Sequence, residues 1–327
     1  MSDVTRDGYI FCIGAANLDI HGFSSQPLLA RESNPGAVHR SAGGVSRNIA
    51  ENLVRLGHRV KLVTTFGDDL AGRYLHDRCT QLGIDTSHAL TVEDIPTSTY
   101  ISLNDPDGDM ALAVSDMRVL DALSRAHLES ISDQIDGARA VVIDAGLPPD
   151  CIEYLAERYA GRRGGSYGAS GGGPAVFVNP VSVKKCVRMH QYTGHFFGAC
   201  MNRTEAATLS GIPIDSHSDI PRAATALHQA GIAQVFITSG VEGAWYCDGL
   251  KEGHLVAPAV QLRNATGAGD AFTAGVVHAY MSGRNIREAA RTGLAVASLA
   301  LESSDTVSAD VRSATVESRL QGLVARD

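Results

Sequence analysis

The chain has 327 residues, 44% of them hydrophobic and 20% charged, with a formal net charge of −8. That length and apolar content suffice for one large α/β domain or for two smaller ones. An acidic balance with no basic block excludes a nucleic-acid backbone as the main partner.

The first element is "YIFCIGAANLDI", an apolar run of strand length that ends in polar residues. "SRNIAENLVRLG" (46–57) carries apolar residues at helical spacing and ends in glycine, which predicts an amphipathic helix with its C-cap. "RVKLVTTFG" (59–67) reads as the next strand, and "STYISLNDPDGDMALAVSD" (98–116) as two strands around an Asp-Pro-Asp-Gly hairpin. "RAVVIDAG", "PAVFVNP" and "AQVFITSG" are buried-strand runs separated by helical stretches such as 149–160 and 219–230. Strands alternating with helices predict a parallel sheet covered on both faces. The tract "GRRGGSYGASGGGP" (161–174) holds seven glycines and is expected to be a flexible surface insert.

The scattered cysteines form no CxxC pair, and the histidines show no HxH or HExxH spacing. Free thiols, and no zinc site, are therefore expected. The first twenty residues lack a charged region followed by an apolar run, and no 18-residue apolar segment occurs. A cytoplasmic protein that does not enter membranes is expected.

The chemistry concentrates in "NATGAGDAFTAG" (264–275), after a strand-like "VAPAVQLRNAT" (256–266). Gly267, Ala268 and Gly269 would open a helix whose first N–H groups are unpaired and whose macrodipole is positive there. Bare backbone at such a terminus makes an anion hole for a phosphate. Asp270 would repel a phosphate but suits a general base that takes a proton from the attacking hydroxyl. The plainer alternative is a glycine turn capped by an aspartate. No GxxxxGK[ST] occurs, which excludes a Walker-type NTPase, and "GAANLD" lacks the glycines of a dinucleotide turn. Asn17 and Asp19 follow the first strand, and Gly43, Gly44 and Asn48 open the first helix. Together they suit a grip on two adjacent hydroxyls. Asn202 and Glu205, three apart in "MNRTE", suit a hydrated Mg²⁺, or else form a helix capping box.

"SAGGVSRNIAENLVRLG" and "NATGAGDAFTAG", in this order and separation, resemble the two signatures of the ribokinase/PfkB carbohydrate kinases, over about residues 8–303. The resemblance implies a single domain over 1–327, with a central mostly parallel sheet flanked by helices. A small β lid would come from about 20–42 and 97–115. It implies ATP as phosphate donor, Asp270 as base and Gly267, Ala268 and Gly269 as anion hole. Asn202 and Glu205 would organise Mg²⁺ and the phosphates, while Thr238, Gly240 and Gly243 in "TSGVEG" would contact the nucleotide. Asn17, Asp19, Gly43, Gly44 and Asn48 would hold the sugar. Within the family, "GAANLDIHG", "ESNPGAV", "TSTYISLND", "SDM" (115–117), "NPVSVKKC" (179–186) and "NRTEAATLSGI" (202–212) are similar to members acting on pseudouridine. That implies a nucleoside 5′-hydroxyl as acceptor, with Tyr100, Ser102 and Asp116 near the base. Lid strands standing off the main domain would leave an apolar face and open edges, which predicts a homodimer formed through the lid. Two departures stand out. Cys200-Met201 replaces a Lys-Pro pair before Asn202, and Asn264 stands where relatives that bind a monovalent cation carry Asp, which argues against a potassium site. The remaining alternatives are a kinase for another nucleoside, ribose or sugar, and a sugar- or nucleotide-binding regulator without turnover. The intact Asp270 speaks against the regulator.

Overall fold

The computed structural model describes residues 8–160 and 173–324, so most of the glycine tract lies outside the described residues. In chain order the strands are β1 (Tyr9–Ile13), β2 (Asn17–Ser24), β3 (Gly36–Gly43), β4 (Arg59–Val63), β5 (Thr65–Gly67), β6 (Leu90–Val92), β7 (Thr99–Asn104), β8 (Met110–Asp116), β9 (Ala140–Asp144), β10 (Ala175–Asn179), β11 (Gly198–Asn202), β12 (Gln234–Thr238), β13 (Ala244–Cys247) and β14 (Glu252–Leu255). Eight of them form the central sheet in the order β14-β13-β12-β11-β10-β9-β1-β4. Its strands from β12 to β4 run parallel, and β13 and β14 complete one edge antiparallel.

Alternation along β1 shows why these runs are apolar throughout. Ile10 and Cys12 join one buried cluster with Ile49 and Leu53 of the helix Val45–Arg55 and Phe272 and Val276 of the helix Ala268–Met281. Phe11 and Ile13 join the opposite cluster, with Leu155 of the helix Pro149–Tyr159 and Leu227 of the helix Ile220–Gln229. Both faces are covered, as a parallel α/β sheet requires. The expected α/β architecture is the observed one.

The parallel strands share a second regularity. β9, β10, β11 and β12 end in Asp144, Asn179, Asn202 and Thr238, with Asn179 in register with Asp144 and Asn202 with Thr238. Apolar runs that turn polar at their last residue line up along the carboxyl edge, where open α/β sheets bind ligands.

Segments 17–24, 36–43, 99–104 and 110–116 form a separate four-stranded sheet in the order β3-β2-β7-β8. Pairing places Asp19 opposite Tyr100 and His21 opposite Ser102, so one face is polar. The other face carries Ile20, Ile101, Leu103, Leu112 and Val114, with Leu112 and Val114 each 68% exposed.

Two expected strands differ. "RVKLVTTFG" is broken after Val63: β4 joins the central sheet, and β5 pairs with β6 instead. Residues 256–266 are irregular rather than a strand, because β14 already forms the sheet edge and Pro258 supplies no N–H to a further ladder. All six cysteines are free and buried.

The helix Ala268–Met281 packs closely on the helix Ile286–Leu301. A Cβ added at Gly275 would lie 2.8 Å from the Gly293 Cα and 2.8 Å from the Thr292 carbonyl oxygen. Alanine is the better helix former by about 1 kcal/mol, but here overpacking wins. Gly275→Ala should lower unfolding stability by about 1–3 kcal/mol in urea titrations. An unchanged midpoint would show that the two helices separate freely.

Candidate active site

Asp270 lies in the first turn of the helix Ala268–Met281. Gly267 caps that helix at φ 81°, and a Cβ there would sit 2.3 Å from the Thr306 carbonyl oxygen. The fold itself therefore demands glycine at 267. Gly269 is different: an added Cβ would meet nothing within 4 Å. An alanine would fit there, so no contact within the fold requires glycine at 269. The N–H groups of Gly269 and Asp270 have no backbone partner among the described residues, as expected at a helix start. Thr273 donates to the Gly269 carbonyl (2.9 Å) and receives the Asn179 amide (3.3 Å), which ties this turn to the end of β10.

A second helix start faces it. Gly44, at φ 97°, caps the helix Val45–Arg55, and three residues into that helix the Asn48 amide donates to Asp270 Oδ2 at 2.9 Å. Gly43 makes room for Asp19, since a Cβ there would stand 2.1 Å from its Oδ2. Asn17 donates to the other Asp19 oxygen. Asn17, Asp19, Asn48 and Asp270, expected on one site from two distant segments, are brought together and buried.

Burial sets their protonation. The Asp270 carboxyl, 8% exposed, is pushed up to about 7 by desolvation and by the carboxylates of Asp144 and Asp19, against the Asn48 hydrogen bond and the Arg47 charge. Asp19 rises to about 6 by burial, against Arg47 and the Asn17 amide.

Three contributors escaped the sequence reading. Asp144 accepts from the Ala15 N–H (2.8 Å), the Ser46 hydroxyl (2.7 Å) and the Gly146 N–H (2.7 Å), binding β9 to the turn after β1 and to the first turn of the helix Val45–Arg55. Arg47 is 2% exposed, the largest side chain fully buried. Asn179 anchors the first turn as described. The available signal was the polar residue closing each apolar strand run.

Asn202 and Glu205 form a reciprocal capping box: Asn202 Oδ1 accepts from the Glu205 N–H and Glu205 Oε2 accepts from the Asn202 N–H, both at 2.9 Å. The capping alternative is thus realised. Thr238, at the neighbouring strand end, donates to the Met201 carbonyl (3.3 Å), and Gly240 and Gly243 follow it with positive φ. On the small sheet, Ser102 is buried and bonded to His21 Nδ1 (2.7 Å) and the Asn104 amide (3.2 Å). Tyr100 shares that face with Asp19. Asp116 does not. It pairs with Thr99 on the opposite face and binds Arg118 at 2.7 Å, because strand alternation gives the Asp19 face to Ser115. Asn264 is engaged locally, accepting from the Thr266 N–H (2.9 Å) and donating to the Ser304 carbonyl (3.3 Å).

The raised Asp270 carboxyl has a stability consequence. Well below pH 4 it is protonated in folded and unfolded chains alike, and from about 4 upward the unfolded chain ionises it while the folded chain does not. As pH rises through about 7 the folded state is forced to ionise it in a buried place, and that contribution to stability is lost. Asp270→Asn, which cannot ionise, should therefore be more stable than the native chain at pH 8 by about 1–3 kcal/mol, with the gap closing toward pH 4. A difference in urea midpoints that ignores pH would mean that Asp270 titrates normally.

Residues 7–312 match the family model described as pfkB family carbohydrate kinase. The chain is 32% identical to the pseudouridine kinase of Escherichia coli (strain K12) over 314 residues, 96% of each chain. It is 28% identical to the guanosine-inosine kinase of Exiguobacterium acetylicum over 298 residues, 90% of this chain and 95% of that one. The structure of Arabidopsis thaliana ribokinase complexed with ribose and ATP superposes with a TM-score of 0.79 at 21% identity, covering 96% of this chain and 99% of that one. The chain belongs to the pfkB family of carbohydrate kinases: it is a phosphotransferase with an alcohol acceptor, a sugar or nucleoside kinase.

Proposed function

We propose that the enzyme transfers the γ-phosphoryl group of ATP to the 5′-hydroxyl of pseudouridine, with Asp270 as the general base. The observation that carries this reading is the pairing of a buried carboxyl poised near neutrality with a helix start bared by Gly269. Asp270 takes the hydroxyl proton as that oxygen bonds to phosphorus, and ADP leaves with the electrons of the broken bond. The N–H groups of Gly269 and Asp270 would face the charge on the transferring group, while the Ala268 N–H is spent on the Ala265 carbonyl at 3.4 Å. Asn17, Asp19 and Asn48 hold the ribose hydroxyls, with Gly43 and Gly44 giving them room. Thr238, Gly240 and Gly243 contact the nucleotide.

Mg²⁺ would neutralise the phosphates. Among the described residues no cluster of three His, Cys, Asp or Glu side chains could hold a metal. Asn202 and Glu205 already spend one oxygen each on the capping box, so they fit the ion through water. The engaged Asn264 side chain supports an enzyme that needs no potassium.

Pseudouridine is favoured by the 32% identity to a kinase of that name and by the polar face of the small sheet, which we read as a lid. Its ring has an extra N–H compared with uridine. With Asp116 on the far face, Ser102 is the acceptor for it, beside Tyr100 and His21. The outer face, with Ile101, Leu103, Leu112 and Val114, is covered by a second copy in a homodimer, since apolar sheet faces of this kind are seldom left bare. Sedimentation at tens of micromolar should give a dimer, and a monomer would remove this part of the reading. No helix among the described residues is long and apolar enough to cross a membrane, in keeping with a cytoplasmic enzyme.

The test is ADP formation from ATP–Mg²⁺ with pseudouridine, uridine, inosine, guanosine and ribose. Uridine lacks the N–H that would add a hydrogen bond to Ser102, so pseudouridine should lead it in kcat/KM by up to about tenfold. Equal values for the two would remove pseudouridine and leave a broader nucleoside or sugar kinase. Asp270→Asn should lose turnover by about 10²–10⁴-fold. Near-native kcat in that variant would remove the base.

A further inference from the structure

Arg47 has no role in the reading above, yet it is buried against the residues that do. Its Nε and Nη2 both donate to Asn48 Oδ1, at 3.3 and 2.7 Å, and its Nη1 donates to Glu51 Oε2 at 2.8 Å. Its backbone N–H is held by the Ala15 carbonyl at 3.2 Å, beside the Ala15 N–H that Asp144 receives. Glu51 is held in turn by Arg55 through its second oxygen, at 2.7 Å. The guanidinium is therefore held by two residues through three of its nitrogens, and the backbone beneath it by a third residue.

An asparagine side chain can present either its oxygen or its NH₂ group. Two donors on Asn48 Oδ1 remove that choice, because turning the amide over would set NH₂ against the guanidinium. The NH₂ group is then the one left for Asp270 Oδ2.

We infer that Arg47 is a positioning residue for phosphoryl transfer, orienting the Asn48 amide toward Asp270 and setting a fixed positive charge behind the acceptor site. The inference rests on Asp270 being the base. The charged groups around Asp270 are Asp144 from the end of β9, Asp19 from β2 and Arg47 itself, the cation of the group. Around Arg47 stand Glu51, Asp19 and the Cys79 thiol of the helix Leu70–Leu82, whose burial keeps it protonated. Two carboxylates and a base share this place, and Arg47 favours the ionised form of both Asp19 and Asp270.

The test compares the pH dependence of kcat in the native chain, Arg47→Met and Arg47→Lys, with Asp270→Asn alongside. Removing the positive charge disfavours the ionised base, so the acid limb should move to higher pH in Arg47→Met by about one unit. Turnover should then fall about a hundredfold at pH 6, from the moved limb together with the lost grip on Asn48, and about tenfold at pH 9, from the lost grip alone. Lysine restores the charge but not the two-pronged grip, so Arg47→Lys should keep the native midpoint with kcat lowered about tenfold at every pH. A folded Arg47→Met with the native midpoint would overturn the inference, because a purely structural arginine changes the yield of folded enzyme and not the limb. Should Arg47→Met fail to fold, Arg47→Lys decides: native kcat overturns the inference, and a uniformly lowered kcat with an unmoved limb sustains it. An active Asp270→Asn would instead fail the base assignment beneath it.

Discussion

The hydrogen bond from Asn48 to Asp270 joins residues 222 positions apart and is the contact on which the site depends. Each partner sits in the opening turns of a helix, and each helix packs on the same face of the central sheet, near Ile10 and Cys12. Two helix starts brought together at the carboxyl edge give converging amide groups, a carboxyl and unpaired N–H groups in one small volume. Neither signature segment makes a site alone. The Asn48 segment supplies an amide without a carboxyl, and the Asp270 segment a carboxyl without that amide.

That convergence has an electrostatic cost. Asp19, Asp144 and Asp270 are all buried, and an unpaired buried charge is strongly disfavoured. The fold answers each one differently. Asp144 is fully satisfied by three hydrogen bonds and acts as a clamp between β9 and the turns around it. Asp19 and Asp270 have fewer donors and stay near neutrality, able to exchange a proton at working pH. The contrast separates a carboxylate held by three donors from two that burial raises.

Much of the fold was legible because its signals are local. Buried parallel strands are short apolar runs, and "RAVVIDAG", "PAVFVNP" and "AQVFITSG" hold β9, β10 and β12 where expected. Residues 256–266 misled because apolar content alone suggests a strand, while a strand also needs an open edge to join. Asp116 misled for a related reason: which face a residue takes depends on register, and a shift of one position reverses it. Asn17, Asp19, Asn48 and Asp270 were legible because each lies beside a glycine or a strand end. Arg47 and Asp144 were not, since an arginine in a helix usually faces water and an aspartate after a strand usually caps a turn. Their roles follow from burial, which no local pattern displays.

The glycines at the site show how sequence and function separate. Gly267 is required by its positive φ and by the Thr306 carbonyl, and Gly43 by the side chain of Asp19. Both are explained by contacts within the chain. Gly269 is not: it lies inside a helix, in open space, where alanine would be favoured by about 1 kcal/mol. Nothing within the chain requires glycine there, and the proposed anion site is the reading that uses its bare backbone. The N–H groups of Gly269 and Asp270, without backbone partners, mark where an anion would approach.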